Sequence, residues 1–78
     1  MVTEFKLPEL GEDIESGDVI SVLVSVGDII TQDQPVMEIE TDKATIEVPS
    51  PVGGVVNAIH VKVGQTIKVG QLLLSINH

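Results

Sequence analysis

The chain has 78 residues, a formal net charge of −8, no cysteine and a single aromatic residue, Phe5. Its length allows one domain with a modest core, which excludes a deep active-site cleft beside that core. The negative charge disfavours nucleic acid and anionic membranes as partners, because both would repel the chain. The lack of cysteine excludes disulfides, thiolate zinc sites and a cysteine nucleophile.

The chain is predicted to be all-β, because valine and isoleucine dominate its apolar residues and no long stretch has helical periodicity. The predicted strands, in chain order, cover residues 3–7, 17–26, 36–41, 44–48, 53–63 and 71–76. The segment between the first two strands is predicted to be a surface loop. Pro49 and Pro51 are predicted to interrupt strand pairing, since proline lacks the amide donor.

The chain repeats itself, with Gly17 aligning with Gly54 and Gly27 with Gly64 at an offset of 37 residues. Each copy has the pattern of a strand, a glycine-led turn and a short strand. Two copies are too few for an open solenoid, so we expect them to close face to face about a pseudo-twofold axis. The predicted fold is a flattened β-barrel or sandwich of two four-stranded antiparallel sheets.

Apolar and polar residues alternate on both sides of Asp42 and Lys43, which predicts a β-hairpin with these two residues as its turn. In this register Ile39 faces Ile46, and the apolar side chains of both strands share one face. An exposed lysine is most often only a solvated turn residue. Here, however, Asn-Gly or Asp-Gly would suit a tight turn better, and the lysine amine offers a chemical handle on a flexible stem.

The repeat also predicts the position of the chain ends. At the same offset, the counterparts of Lys43 are residue 6 and a point just past residue 78. We therefore expect the two ends to lie together, on the side of the domain opposite Lys43.

The run Glu40-Thr41-Asp42-Lys43-Ala44, followed by Glu-Val-Pro-Ser-Pro and Gly-Gly-Val-Val, resembles the lipoyl domain of 2-oxo acid dehydrogenase complexes. The resemblance covers the whole chain, including the opening Leu-Pro-Glu-Leu-Gly-Glu at residues 7–12. It is strongest to the acetyltransferase component of pyruvate dehydrogenase, with the succinyltransferase of the 2-oxoglutarate complex as the alternative. The resemblance implies that lipoic acid is attached to Lys43, and that the attaching enzyme reads the flanking Asp42 and Ala44.

The resemblance further implies a swinging-arm carrier of acyl groups, which is not itself an enzyme. Its implied partners are a thiamin-diphosphate-dependent 2-oxo acid decarboxylase, an acyltransferase core, a flavin-dependent dihydrolipoamide dehydrogenase and a lipoate ligase or lipoyl transferase. We expect five residues to contribute to partner recognition: Glu12, Asp13, Glu15, Glu40 and Thr41. For the acidic ones among them, a solvated loop or strand face is the plain alternative.

Neither a metal site nor a catalytic residue is predicted. The glutamates of the hairpin alternate along strands without the loop ligands of a calcium site, and the two histidines have no triad partner at a readable spacing. Residues 1–78 are expected to form one carrier domain, the N-terminal module of a longer acyltransferase chain. We expect this chain to lie in a bacterial cytoplasm, with the mitochondrial matrix as the alternative.

Two other functions stay open. One is a biotinyl carrier, but the modified lysine of that family lies between two methionines, whereas Asp42 and Ala44 flank Lys43 here. The other is a β-sandwich interaction module that carries no modified lysine.

Overall fold

The computed structural model describes residues 1–78 and consists of β-strands without a helix. The eight strands are β1 (Val2–Lys6), β2 (Ser16–Val22), β3 (Ile29–Ile30), β4 (Pro35–Glu40), β5 (Thr45–Pro49), β6 (Gly54–Ile59), β7 (Thr66–Lys68) and β8 (Leu72–Asn77). They form two four-stranded sheets in the orders β1-β8-β6-β3 and β5-β4-β2-β7, with every pairing antiparallel. The predicted two-sheet sandwich is confirmed.

The core consists of 15 buried apolar residues contributed by both sheets. Burying one large aliphatic side chain stabilises the fold by about 1.5–3 kcal/mol. A one-residue slip of any inner strand would move several of these side chains to solvent, so the core fixes the strand registers. The apolar side chains with no more than 2% exposure are Leu7, Val19, Ile30, Val36, Met37, Ile39, Val48, Val56, Ile67, Leu73, Leu74 and Ile76.

The two halves of the chain share the same turn chemistry, as the repeat predicts. The Asp28 carboxylate accepts a hydrogen bond from the Ser25 amide at 2.8 Å, and the Gln65 side-chain oxygen accepts one from the Lys62 amide at 3.1 Å. In both turns the preceding residue is a glycine with φ near +90°. Asp and Gln therefore replace one another because both present an oxygen at the same place.

Two predicted strands are too long. The strand predicted for residues 17–26 ends at Val22 in the structure, and the strand predicted for residues 53–63 ends at Ile59. In each half the chain leaves one sheet there and enters the other, since β2 and β3 belong to different sheets, as do β6 and β7. The apolar pattern continues through each crossing, where Val24 and Val61 are buried. For this reason the sequence pattern is that of one long strand.

The prediction that Pro49 lies outside the paired region is wrong. Pro49 is the last residue of β5 and pairs with Pro35 of β4. Strand β5 is an edge strand with β4 as its one neighbour, so the missing proline amide removes no bond to a second strand.

The chain ends lie together, as predicted. The His78 amide donates to the Met1 carbonyl at 2.8 Å, and the Met1 ammonium donates to the His78 carbonyl at 3.1 Å. The predicted equivalence of Lys43 with residue 6 is wrong. Phe5 pairs with Leu74 as Val48 pairs with Met37, so β1 corresponds to β5. The offset between the two halves is not constant, because the loop after β1 is longer than the connection after β5. The counterpart of the hairpin tip is therefore the gap between the two chain ends.

Candidate functional site

Lys43 lies at the exposed tip of the β4–β5 hairpin, and Asp42 and Ala44 beside it are also exposed. The last paired residues of the two strands are Glu40 and Thr45, so a four-residue connection carries the lysine. The Lys43 ammonium donates none of the hydrogen bonds that close this connection. The amine is therefore accessible to a modifying enzyme.

The base of the hairpin is anchored in the core. Met37 pairs with Val48 and Ile39 with Ile46, in the register predicted from the alternation. Met37, Ile39 and Val48 have 0% exposure. A tip attached to such a base has little freedom to change direction, so the fold fixes where the lysine side chain starts.

A compact set of hydrogen bonds holds the connection itself. The Thr41 amide donates to the Ala44 carbonyl at 2.9 Å, and the Thr41 hydroxyl donates to the same carbonyl at 2.8 Å. The hydroxyl oxygen also accepts from the amides of Ala44 at 3.1 Å and Lys43 at 3.3 Å. Neither Asp42 nor Lys43 has positive φ, so the connection does not contain the type I′ or II′ turn typical of tight hairpins.

Lys43 borders a groove of about 290 Å³ between the hairpin tip and the loop that follows β1. Carboxylates surround this groove: Asp13, Glu15, Asp18, Glu40 and Asp42. Asp18 is held in place by the Thr66 hydroxyl, which donates to its carboxylate at 2.7 Å. Thr41 also lines the groove, so four of the five predicted recognition residues gather beside Lys43.

Glu12 is the predicted recognition residue that does not join this groove. It lines a neighbouring hollow on the other side of the same loop, together with Glu9, Lys68 and Val69. Asp13 and Glu15 border both concavities, so the loop separates the two. Proximity in sequence thus grouped Glu12 with residues that border the groove, although Glu12 itself does not line it.

The prediction of site residues missed Gly17, which seats the hairpin. A β-carbon at residue 17 would lie 3.1 Å from the Glu40 carbonyl oxygen and 3.3 Å from the Thr41 methyl carbon. The absence of a side chain lets the start of β2 approach the base of the tip. The internal repeat carried the signal, because Gly17 is the counterpart of Gly54. Ile14, the one apolar residue of the groove lining, had no such signal.

No group of three or more histidine or acidic side chains is arranged to hold a metal ion. The His60 ring lies 3.0 Å from the Ser75 hydroxyl, and Ser75 is largely buried beside β6. No helix of the chain could cross a membrane.

Comparison with known proteins gives a family for this arrangement. The profile of the Biotin_lipoyl family, described as "Biotin-requiring enzyme", matches residues 3–76. The chain belongs to the Biotin_lipoyl family. The predicted kinship with lipoyl domains falls within this family, and the matched residues include every strand and the hairpin tip.

Several curated relatives are named as components of pyruvate dehydrogenase complexes. The dihydrolipoyllysine-residue acetyltransferase component of the pyruvate dehydrogenase complex of Mycoplasma genitalium is 44% identical over 94% of this chain and 19% of its own length. The component of the same name from Staphylococcus aureus strain N315 is 38% identical over 99% of this chain and 18% of its own length. The chain spans about a fifth of the length of these relatives.

Solved structures confirm the fold. The lipoyl domain of the 2-oxoglutarate dehydrogenase complex from Azotobacter vinelandii is 31% identical, with a TM-score of 0.74 and coverage of 96% of this chain and 95% of that one. The urea carboxylase of Kluyveromyces lactis is 26% identical, with a TM-score of 0.73, over 96% of this chain and 7% of the carboxylase. The same sandwich therefore serves both a lipoyl domain and a part of a carboxylase.

Proposed function

We propose that this chain is a swinging-arm acyl carrier in which lipoic acid is joined by an amide bond to the Nζ atom of Lys43. The observation that carries the proposal is an exposed amine, free of hydrogen bonds within its turn, on a hairpin anchored in the core of a Biotin_lipoyl domain. An amide linkage needs an accessible amine and no side-chain pocket, so the residues present fit this cofactor.

The protein and the cofactor divide the chemistry between them. When attached, lipoic acid supplies a disulfide that takes up an acyl group together with electrons. The chain supplies a fixed attachment point and an acidic groove beside it. A tethered arm meets each partner site at roughly millimolar effective concentration, which removes the need for free diffusion of the acyl group. No residue of the chain has to act as acid, base or nucleophile in this scheme.

We propose that the acyl group is acetyl and that the parent assembly is a pyruvate dehydrogenase complex. The relatives at 38–44% identity carry that name, whereas the 2-oxoglutarate lipoyl domain is 31% identical. The partners would then be a thiamin-diphosphate-dependent decarboxylase, an acetyltransferase core and a flavin-dependent dihydrolipoamide dehydrogenase. A lipoate ligase or lipoyl transferase would act on Lys43. The acidic groove favours partner surfaces that carry basic residues.

We further propose that residues 1–78 are the N-terminal module of a longer acyltransferase chain in a bacterial cytoplasm. The support is the coverage of about a fifth of each curated relative, and the bacterial origin of those relatives. Sequencing the gene in its source genome tests the first part, and fractionation of source cells tests the second.

Attachment is tested by incubating the protein with a lipoate ligase, lipoic acid and ATP, followed by intact mass measurement and peptide mapping. We expect one lipoyl group on the peptide that contains Lys43. The Lys43→Arg variant should stay unmodified, and Lys62→Arg is the matched control, since Lys62 is also exposed in a turn region. A group on another lysine, or a biotinyl group from a biotin ligase in place of a lipoyl group, would overturn the proposal.

The acyl group is tested with the lipoylated protein and purified decarboxylases of the two complexes. We expect the pyruvate enzyme to acetylate the lipoyl group, and we expect the 2-oxoglutarate enzyme to succinylate it far more slowly. Mass spectrometry separates the two products. Faster succinylation would assign the chain to a 2-oxoglutarate complex while leaving Lys43 as the attachment site.

A further inference from the structure

We infer that Thr41 is a positioning residue for the modification of Lys43, because its hydroxyl holds the turn in the conformation that presents the lysine amine to the attaching enzyme. The inference rests on the proposed attachment of lipoic acid to Lys43. The sequence predicts that Thr41 contacts a partner protein. The structure instead assigns its hydroxyl a role within the turn.

The hydroxyl of Thr41 uses its full hydrogen-bonding capacity inside the turn. A threonine hydroxyl has one donor and two acceptor positions. Here the donor goes to the Ala44 carbonyl at 2.8 Å, and the oxygen accepts from the Ala44 amide at 3.1 Å and the Lys43 amide at 3.3 Å. No position is left for a partner protein, so the hydroxyl acts on the turn alone.

The side chain also replaces a backbone bond. In a closed β-turn the carbonyl of the first residue accepts from the amide of the fourth. The backbone hydrogen bonds of the chain do not include one from the Ala44 amide to the Thr41 carbonyl. The Thr41 hydroxyl accepts from that amide instead, so the closure of the turn depends on a side chain that mutation can remove.

The backbone of this turn needs such support. Tight hairpins favour type I′ and II′ turns, in which positive φ values match the twist of the strands, whereas turns with negative φ splay them. Asp42 and Lys43 both lack positive φ. A bond from each of the amides of Lys43 and Ala44 to one hydroxyl keeps this less favourable turn closed.

Thr41 is tied to the scaffold by its other substituent. It is half-buried, and its methyl carbon would lie 3.3 Å from a β-carbon on Gly17, so it packs against the start of β2. The methyl therefore fixes the side chain on the sheet, and the hydroxyl transmits that fixed position to residues 43 and 44. The turn bonds themselves come from the hydroxyl alone, so a serine at position 41 keeps all of them.

The experiment compares Thr41→Val, which removes the hydroxyl and keeps the shape, with Thr41→Ser, which keeps the hydroxyl. Thr45→Val is the matched control, because Thr45 is exposed at the base of the same hairpin and its side chain makes no hydrogen bond with the protein. Two measurements are made on each protein: amide hydrogen exchange at residues 43 and 44 by NMR, and kcat and KM for lipoylation by a lipoate ligase.

We expect Thr41→Val to speed exchange at Ala44 and to lower kcat/KM for lipoylation, each by about three- to tenfold, because the amides of Lys43 and Ala44 lose their shared acceptor. Thr41→Ser and Thr45→Val should stay within about twofold of the wild type, since neither loses a turn bond. Thermal unfolding of each variant separates these effects from loss of the fold. If Thr41→Val does not fold, Thr41→Ala removes the same hydroxyl with less bulk.

Wild-type lipoylation kinetics in Thr41→Val would overturn the inference, and so would a Thr41→Ser variant as impaired as Thr41→Val. These outcomes differ from failure of the proposed function, in which the wild-type protein itself takes up no lipoyl group. In that case the part of the inference that concerns modification falls as well, while hydrogen exchange still decides whether Thr41 closes the turn.

Discussion

A β-carbon on Gly54 would lie 2.5 Å from the carbonyl oxygen of Asn77, so the start of β6 packs directly on the end of β8. Gly17 makes the related approach to Glu40 at the hairpin, where the corresponding distance is 3.1 Å. The two glycines are counterparts in the repeat. The same kind of contact therefore packs β6 on the C-terminal end of the chain and seats the lysine hairpin on β2.

We predict that Gly54→Ala lowers the free energy of unfolding by about 2–3 kcal/mol, because a backbone oxygen has to move to admit the methyl group. The adjacent Gly53 is the control. A β-carbon there would meet its nearest neighbour at an ordinary 3.4 Å, so Gly53→Ala should cost less than about 1 kcal/mol. Urea unfolding of both variants measures the difference, and equal losses would contradict the close packing at Gly54.

Lys43→Ala should leave the fold intact, with a change in the free energy of unfolding within about 0.5 kcal/mol. The reason is that the side chain is exposed and donates no hydrogen bond in its turn. Chemical denaturation and an NMR fingerprint check this. An unfolded or strongly destabilised variant would mean that the side chain has contacts absent from the structure.

Exchanging Asp42 and Lys43 keeps the composition and the net charge and moves the amine by one residue. We expect lipoylation of the exchanged protein to fall by at least about tenfold, because a displacement of an ångström or more is costly when an enzyme aligns two reacting groups. Ligase kinetics on the wild type and the exchanged variant provide the test. Undiminished modification would show that the enzyme does not read the position within the turn.

The acidic groove should affect the encounter with the decarboxylase. We predict that Asp13→Asn combined with Glu15→Gln lowers kcat/KM for reductive acylation several-fold at low salt, since charge complementarity acts mainly on association. The effect should shrink near 0.5 M salt, where the Debye length falls to about 4 Å. Glu4→Gln, in the other sheet, also removes one negative charge. It is therefore the charge-matched control for Asp13→Asn and for Glu15→Gln when each is measured as a single variant. A salt-independent loss would point to direct contacts instead.

Much of the site could be predicted from the sequence because a β-hairpin with one buried face has little choice of register. The alternation around Lys43 gave the Ile39–Ile46 pairing, and the structure has it. The strand ends were harder, since apolar residues run on where the chain passes between sheets, as at Val24. Which of the two concavities Glu12 lines depends on how the loop folds over the domain, and no periodicity encodes it.

The sequence by itself determined the all-β class, the doubled architecture, the hairpin and the exposure of Lys43. These follow from local alternation and from repetition, which constrain each strand separately. Only the tertiary structure decided which acids share a groove with the lysine and that the Thr41 hydroxyl closes its turn. The first depends on the approach of a loop to a hairpin from elsewhere in the chain. The second depends on backbone angles that several turn types leave open until the surrounding strands select one.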